Sequence, residues 1–248
     1  MEQEYDEYKE RNETIRIDCF ESLDEKLQVP LMTFFRRLSI PHVYWETIVP
    51  TLQEGNAMIC AAVRDRPWPP WGLGAQKVHA LLLVYPIGER TASLNNIFVA
   101  DDDLTNIGLQ SAVYKEALQH LIRKKKTEVN YVVLEGSIMP DRILASNGFK
   151  KTDDLFLTEE ARYNLYTASS KDVLKKLGLA DVSSPDLLSH EVDDKVFQRN
   201  ALFHGMTQMA GMPFWLGRIR RPGLIFNGGG LFDANPPAGV PPSPSPPS

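Results

Sequence analysis

The sequence lacks the patterns of several large functional classes. Only two cysteines occur among its 248 residues, and no CxxC or Cys/His cluster is present to hold zinc. It has no P-loop, no Ser/His/Asp order and no apolar run near the roughly 20 residues of a membrane span. The formal net charge of −5 gives no basic footprint for nucleic acid. We therefore expect a globular protein without a metal site or a membrane span.

The amino terminus and the cysteines indicate a compartment. Residues 1–13 are acidic and polar, unlike a signal or transit peptide, and are predicted to form a charged arm. Cys19 and Cys60 each lie in an apolar, strand-like run, so we predict buried, reduced thiols. These observations predict a cytoplasmic protein.

One stretch, residues 93–149, organises the chain. Its apolar run ends at Val99, three aspartates follow at 101–103, and a short polar loop with Gly108 leads into a helical pattern. The helix prediction rests on apolar residues four apart, while Lys115 and Glu116 fall outside the apolar face. Backbone N–H groups at a helix start have no intrahelical partner, so residues 105–110 could bind a phosphate or form an ordinary packed turn. The apolar positions are Leu109, Val113, Ala117 and Leu121.

The remaining pattern alternates strands and helices. Strands are predicted at 14–20, 57–63, 78–85, 92–99, 130–134, 149–158 and 163–167. Helices are predicted from Ser22 to about Leu38, with an interruption at Pro30, and at 42–52 and 140–146. The loop between the second and third strands carries Trp68 and Trp71. It either covers a core edge or contacts a partner or substrate, and the sequence leaves both interpretations open.

A family resemblance rests on three segments. Residues 99–112, the strand at 131–134, and residues 143–152 with the Gly148-Phe149 pair resemble the GCN5-related N-acetyltransferase (GNAT) superfamily. The order of predicted strands and helices is the one that this fold uses. The resemblance implies an α/β (α+β) fold with a mixed, mostly antiparallel central sheet flanked by helices. The residues that follow this pattern predict an irregular C-terminal extension.

The resemblance also implies a cofactor, acetyl-CoA, and no metal. In the family, amides of a six-residue loop hold the coenzyme A pyrophosphate, and this loop falls on residues 105–110, with Gly108 at its middle glycine. The candidate cofactor-binding residues are Phe98, Val99, Thr105, Asn106, Gly108, Leu109 and Gln110.

The sequence departs from the family at four places. Thr105 replaces an Arg or Gln, and Gln110 replaces a Gly or Ala. Leu144 stands where a tyrosine acid is usual, and Asn95 and Asn96 stand near the usual glutamate. Neither amide accepts a proton at neutral pH, so no catalytic residue is assigned.

The C-terminal part leaves the GNAT pattern. Four regions are predicted: the arm at 1–13, a GNAT-like domain at 14–169, a helical and irregular apolar extension at 170–235, and a Pro/Ser-rich tail at 236–248. The extension contains helices at 170–177 and 192–209, with a linker at 182–189. Its apolar and basic residues predict docking on another subunit or on the chain's own sheet. The candidate partner-binding residues are Trp215, Arg218, Arg220, Phe226 and Phe232.

Two functional hypotheses follow. The first is a GNAT-like N-acetyltransferase that moves an acetyl group from acetyl-CoA to an amine. The second is a catalytically inactive GNAT-fold structural or assembly protein, for example a phage virion component, which docks a partner through its C-terminal tail.

Overall fold

The computed structural model describes residues 15–23, 25–38, 42–65, 76–100, 107–135, 138–156, 162–188 and 193–209. Several predicted features lie outside these ranges. They are the charged arm, Trp68 and Trp71, the aspartates at 101–103, Thr105, Asn106, and the candidate partner-binding residues Trp215, Arg218, Arg220, Phe226 and Phe232.

The described strands form one seven-stranded sheet with the order β1-β2-β3-β4-β5-β7-β6. β4 and β5 pair in parallel, and every other described pair is antiparallel. This confirms the predicted mixed, mostly antiparallel sheet. The strands are β1 (Ile15–Phe20), β2 (Met58–Asp65), β3 (Gln76–Pro86), β4 (Thr91–Val99), β5 (Glu128–Leu134), β6 (Lys150–Phe156) and β7 (Arg162–Ser169).

Helices fill the connections in the predicted order. α1 and α2 lie between β1 and β2, α3 connects β4 to β5, α4 connects β5 to β6, and three helices follow β7. They are α1 (Glu25–Arg37), α2 (His42–Gln53), α3 (Ile107–Arg123), α4 (Ile138–Ser146), α5 (Ser170–Leu177), α6 (Ser184–Leu188) and α7 (Asp194–Met209).

Two apolar cores lie on opposite faces of the sheet. Successive residues of β2 alternate between them: Ile59 and Ala61 face the core of α1 and α2, whereas Cys60 and Ala62 face the core of α3. Because both faces are covered, the strand reads as a continuous apolar run. The helix predicted to break at Pro30 is continuous through it, with Leu27 and Leu31 buried on either side.

α3 is buried on more sides than its sequence predicts. Leu109, Val113 and Ala117 are buried as expected, but Lys115 is also buried, at 6% exposure. Its ammonium donates a hydrogen bond to the Val182 carbonyl. Lys115, predicted to fall outside the apolar face, is buried because residues after β7 cover that side of α3.

Residues 170–209 fold onto the same core. α5 ends where predicted, at Gly178, which has a left-handed backbone (φ 74°). The predicted linker at 182–189 is wrong, since it contains α6, whose Leu187 is buried. Its Ser184 hydroxyl donates to Glu116 of α3 at 2.7 Å. The predicted helix at 192–209 is confirmed as α7.

The reduced-thiol prediction for Cys19 and Cys60 is wrong in this structure, which joins them in a disulfide. The register of β1 on β2 places the two residues directly opposite each other, with their Cα atoms 4.1 Å apart. The apolar run around each cysteine gave no sign of this pairing, because the two residues are 41 positions apart in the sequence.

The disulfide predicts a measurable stabilisation. Thiol titration of the unreduced, denatured protein should find no free thiol. Because the bond closes a 41-residue separation, its reduction should lower the free energy of unfolding by about 4 kcal/mol in the chain-entropy account. A variant with both Cys19→Ser and Cys60→Ser serves as the control, since its urea midpoint should not respond to reductant. Two titratable thiols in the untreated protein would contradict the pairing.

Candidate functional site

The gap between β4 and β5 is the main feature of the sheet. The two strands pair through three residues each, Thr91–Ser93 with Glu128–Asn130. β4 then continues to Val99 and β5 to Leu134, and no described strand pairs with either facing edge beyond that point. Backbone N–H and C=O groups on such edges require partners, so the gap suits an extended ligand that carries amide groups.

Two of the predicted cofactor-binding residues, Phe98 and Val99, face opposite sides of the sheet. The Phe98 side chain packs against Phe35 of α1, with ring centroids 5.9 Å apart, and so faces away from α3. Val99 belongs to the core on the α3 face. Phe98 can therefore contribute to a site on that face only through its backbone.

The first turn of α3 holds Gly108, Leu109 and Gln110, and all three are buried. The Gln110 side chain, 1% exposed, is packed inside the protein. The turn begins eight residues after the end of β4, so it follows the strand on the open side of the gap. The first turn of a helix presents backbone N–H groups at the positive end of the helix dipole, which suits a diphosphate group. Binding of a diphosphate at this turn stays a prediction.

α7 lies in the same region. It contacts α3, α4 and β4, and therefore covers β4 between the two helices that flank the gap. Its Phe203 is fully buried and packs edge-to-face on Tyr114 of α3, at a centroid distance of 5.3 Å. The sequence predicted this helix but not its position, because Tyr114, on which Phe203 packs, is 89 residues earlier in the chain.

The first half of α7 is attached to the end of α5. Val196 packs so closely on Gly178 that a β-carbon built there would lie 3.1 Å from the Val196 Cγ2. Arg199 donates a hydrogen bond to the carbonyl of Lys176. Asn200 faces inward at 1% exposure, and its Oδ1 has no hydrogen-bond partner among the described residues.

A carboxylate and a phenol meet near the gap. The Tyr166 hydroxyl on β7 donates a hydrogen bond to Asp141 Oδ1 in the first turn of α4, at 2.7 Å. Tyr166 pairs in register with Tyr131 of β5, one strand from the gap. Sequence reasoning missed this pair because the residues are 25 positions apart. Leu144, where the family's tyrosine is usual, is fully buried in the core.

His79 and His120 lie on β3 and α3. His120, near the end of α3, lies 2.7 Å from Glu21 at the end of β1. Hydrogen bonds from Lys124 and His120 lower the pKa of the Glu21 carboxyl. Burial raises the pKa of the Tyr163 phenol. His79 is buried within β3, as a structural residue would be.

A polar cavity of about 620 Å³ lies at the opposite end of α4 from its first turn. It borders α4, α5 and the first half of α7. Its lining carries three cations and one carboxylate, and it is separate from the first turn of α3. The lining residues are Ser146, Asn147, Asp172, Lys175, Lys176 and Arg199.

Two features, a membrane-spanning helix and a metal-binding cluster, are absent from the described residues. No helix there is long and apolar enough to cross a bilayer. In the same part of the chain, no three His, Cys, Asp or Glu side chains converge in a way that could hold a metal ion.

Comparisons with known proteins give structural likenesses alone. No protein-family model matches the chain, and a search of curated proteins found no match. A GNAT family acetyltransferase from Elizabethkingia anophelis with acetyl-CoA bound is 14% identical, with 62% of this chain and 97% of that chain covered and a TM-score of 0.40.

Two other solved structures show the same level of likeness. The ribosomal-protein-S18-alanine N-acetyltransferase from Escherichia coli is 15% identical, with coverages of 63% and 94% and a TM-score of 0.43. A spermidine N-acetyltransferase chimera that includes the Vibrio cholerae protein is 11% identical, with coverages of 64% and 99% and a TM-score of 0.45. These likenesses assign neither a family nor an activity. The order of strands and helices that the resemblance implied is present in this chain.

The inward face of α7 predicts opposite effects of two substitutions. Asn200→Leu removes a buried amide oxygen that has no partner among the described residues, so it should raise the free energy of unfolding by about 1–2 kcal/mol. Phe203→Leu leaves a small cavity and should lower it by about 1–2 kcal/mol. Leu202→Ala is the control: Leu202 is 59% exposed, and its replacement should stay within about 0.5 kcal/mol. Urea unfolding measures all three, and a destabilised Asn200→Leu variant would contradict this account of α7.

Proposed function

We propose that this protein is an acetyl-CoA-dependent N-acetyltransferase of the GNAT type, acting on an amine. The observation that carries the proposal is the gap between β4 and β5, where two parallel neighbours part after three residue pairs. Such an opening inside a sheet presents strand edges to an extended ligand. Coenzyme A carries two amides in an extended arm and a diphosphate, and both fit the backbone groups described above.

The backbone makes most of the proposed cofactor site. The β4 edge beyond Ser93 would pair with the amides of the extended arm. The N–H groups in the first turn of α3, around Gly108, would hold the diphosphate because they lie at the positive end of the helix dipole. When bound, acetyl-CoA supplies an activated acetyl thioester. Because side chains contribute little, the loss of the family's usual residues at 105 and 110 is compatible with binding.

The Asp141 and Tyr166 pair is the proposed proton-transfer element. Asp141 Oδ1 accepts the hydrogen bond from the Tyr166 hydroxyl, which holds the phenol in one orientation. The carboxylate can accept a proton from the amine, and the phenol can donate one to a leaving thiolate. The two residues thus offer an acid and a base. The position at which the family usually has its tyrosine acid is occupied here by Leu144, which is buried.

A titration tests cofactor binding. The full-length protein should bind acetyl-CoA with a dissociation constant between about 1 μM and 1 mM, the usual range of enzyme affinities for substrates. Gly108→Val places a side chain where the diphosphate would approach, and should weaken binding at least about tenfold. Gly88→Val is the matched control, because a β-carbon at Gly88 has open space around it. Absence of heat with acetyl-CoA at millimolar concentration would remove the proposal.

A second measurement tests the proton-transfer element. With an amine that the protein acetylates, Asp141→Asn and Tyr166→Phe should each lower kcat by about 10²-fold or more, while the acetyl-CoA affinity stays the same. Tyr163→Phe is the control, because Tyr163 lies three residues away on the same strand, on the other face of the sheet. Unchanged kcat in both variants would exclude the pair from the chemistry.

The position of α7 favours a second candidate, a GNAT-fold protein without catalysis that serves as an interaction or assembly component. A helix that covers β4 between α3 and α4 competes for the space that the cofactor needs. The titration separates the two candidates, since only the acetyltransferase requires acetyl-CoA to bind.

A further inference from the structure

α7 and an extended ligand cannot both lie against the α3 face of β4. An α-helix with its side chains is about 10 Å across, so a helix that contacts β4 fills the space between α3 and α4. α7 makes these three contacts together. A ligand that approaches β4 from this face therefore contacts α7 before it reaches the strand.

We propose that α7 is a displaceable inhibitory helix, which excludes acetyl-CoA from the gap while it is docked and admits it when released. The inference rests on the proposed function, because it names the regulation of the same site. It concerns residues of α7 that have no part in the proposed chemistry.

Described contacts in both halves of α7 hold the docked helix. Phe203 provides the deepest one, buried completely against Tyr114. Val196 and Arg199 attach the first half of α7 to the end of α5, through Gly178 and the Lys176 carbonyl. Phe203 is thus the buried anchor that a substitution can test.

Other features of α7 oppose docking. Asn200 is buried at 1% exposure, and its Oδ1 has no partner among the described residues, so docking desolvates an amide oxygen without replacing its hydrogen bond. Phe197 and Leu202 remain exposed on the outer side, at 38% and 59%. Released α7 would regain hydration at Asn200, which lowers the cost of opening.

Displacement links the docking of α7 to the affinity for the cofactor. When only the open form binds, the apparent dissociation constant equals the intrinsic one divided by the open fraction. Substitutions that loosen α7 should therefore tighten acetyl-CoA binding, and those that fasten it should weaken binding. A helix with a merely structural role would not produce these opposite changes.

The test measures acetyl-CoA binding to full-length variants by calorimetry. Phe203→Leu should lower the apparent dissociation constant about fivefold or more, and Asn200→Leu should raise it by a similar factor. Leu202→Ala, on the exposed side of the same helix, should leave it unchanged. Asn200→Leu is expected to be more stable than the natural protein, so its weaker binding cannot come from unfolding.

Hydrogen exchange provides a second readout that does not depend on catalysis. Amides of α7 should exchange through local opening, faster than those of α3, and faster still in Phe203→Leu. Added acetyl-CoA should increase exchange in α7 while it protects the first turn of α3. Protection of α7 by the ligand would overturn the inference.

The outcomes separate the two proposals. Equal affinities in the three variants would overturn the inhibitory role of α7 and leave the acetyltransferase proposal in place. If no variant binds acetyl-CoA although α7 opens locally, the acetyltransferase proposal fails, and the inhibitory role fails with it. Opposite shifts for Phe203→Leu and Asn200→Leu, with Leu202→Ala unchanged, support both.

Discussion

The short parallel pairing of β4 with β5 is the constraint on which the rest of the structure depends. Parallel neighbours cannot be joined by a tight turn, so the chain must cross over between them, and α3 is that crossover. The pairing fixes where α3 begins and ends relative to the sheet. Because it covers only three residues of each strand, it also leaves two strand edges facing each other without a ladder.

The C-terminal helices matter as much as the sheet, because one of them, α7, packs on β4 beside the gap. α5, α6 and α7 add Val173, Leu187 and Phe203 to the core shared with α3. In this structure they therefore share one core with the sheet, and α7 shares it while it is docked. The same packing brings α7 to β4, so the stability of the C-terminal region and access to the gap depend on the same contacts.

The sequence predicted which segments form helices and strands better than it predicted which of them pack together. The four-residue spacing of Leu109, Val113 and Ala117 identified the apolar face of α3. The glycine after a short helical segment identified Gly178 as the end of α5. Of the predicted site residues, Val99 ends β4 and Gly108 lies in the first turn of α3; their role in cofactor binding stays a prediction. Phe98 faces the other core, and Thr105 and Asn106 lie outside the described residues.

Features that depend on distant pairs escaped prediction. The Tyr166 hydroxyl meets Asp141 only because β7 pairs with β5 and α4 packs above them, and no local spacing encodes this. Phe203 lies on Tyr114 for a similar reason. Local patterns determine which face of an element is apolar, whereas the partner of that face is decided by the whole fold.

The disulfide between Cys19 and Cys60 has a consequence for how copies of the chain meet. β1 is an outer strand of the sheet, and an outer strand that detaches can exchange with its counterpart in another molecule or offer its hydrogen-bonding groups for aggregation. A covalent link near its end fastens that strand to its own neighbour. Oxidation would therefore disfavour domain swapping at this side of the sheet.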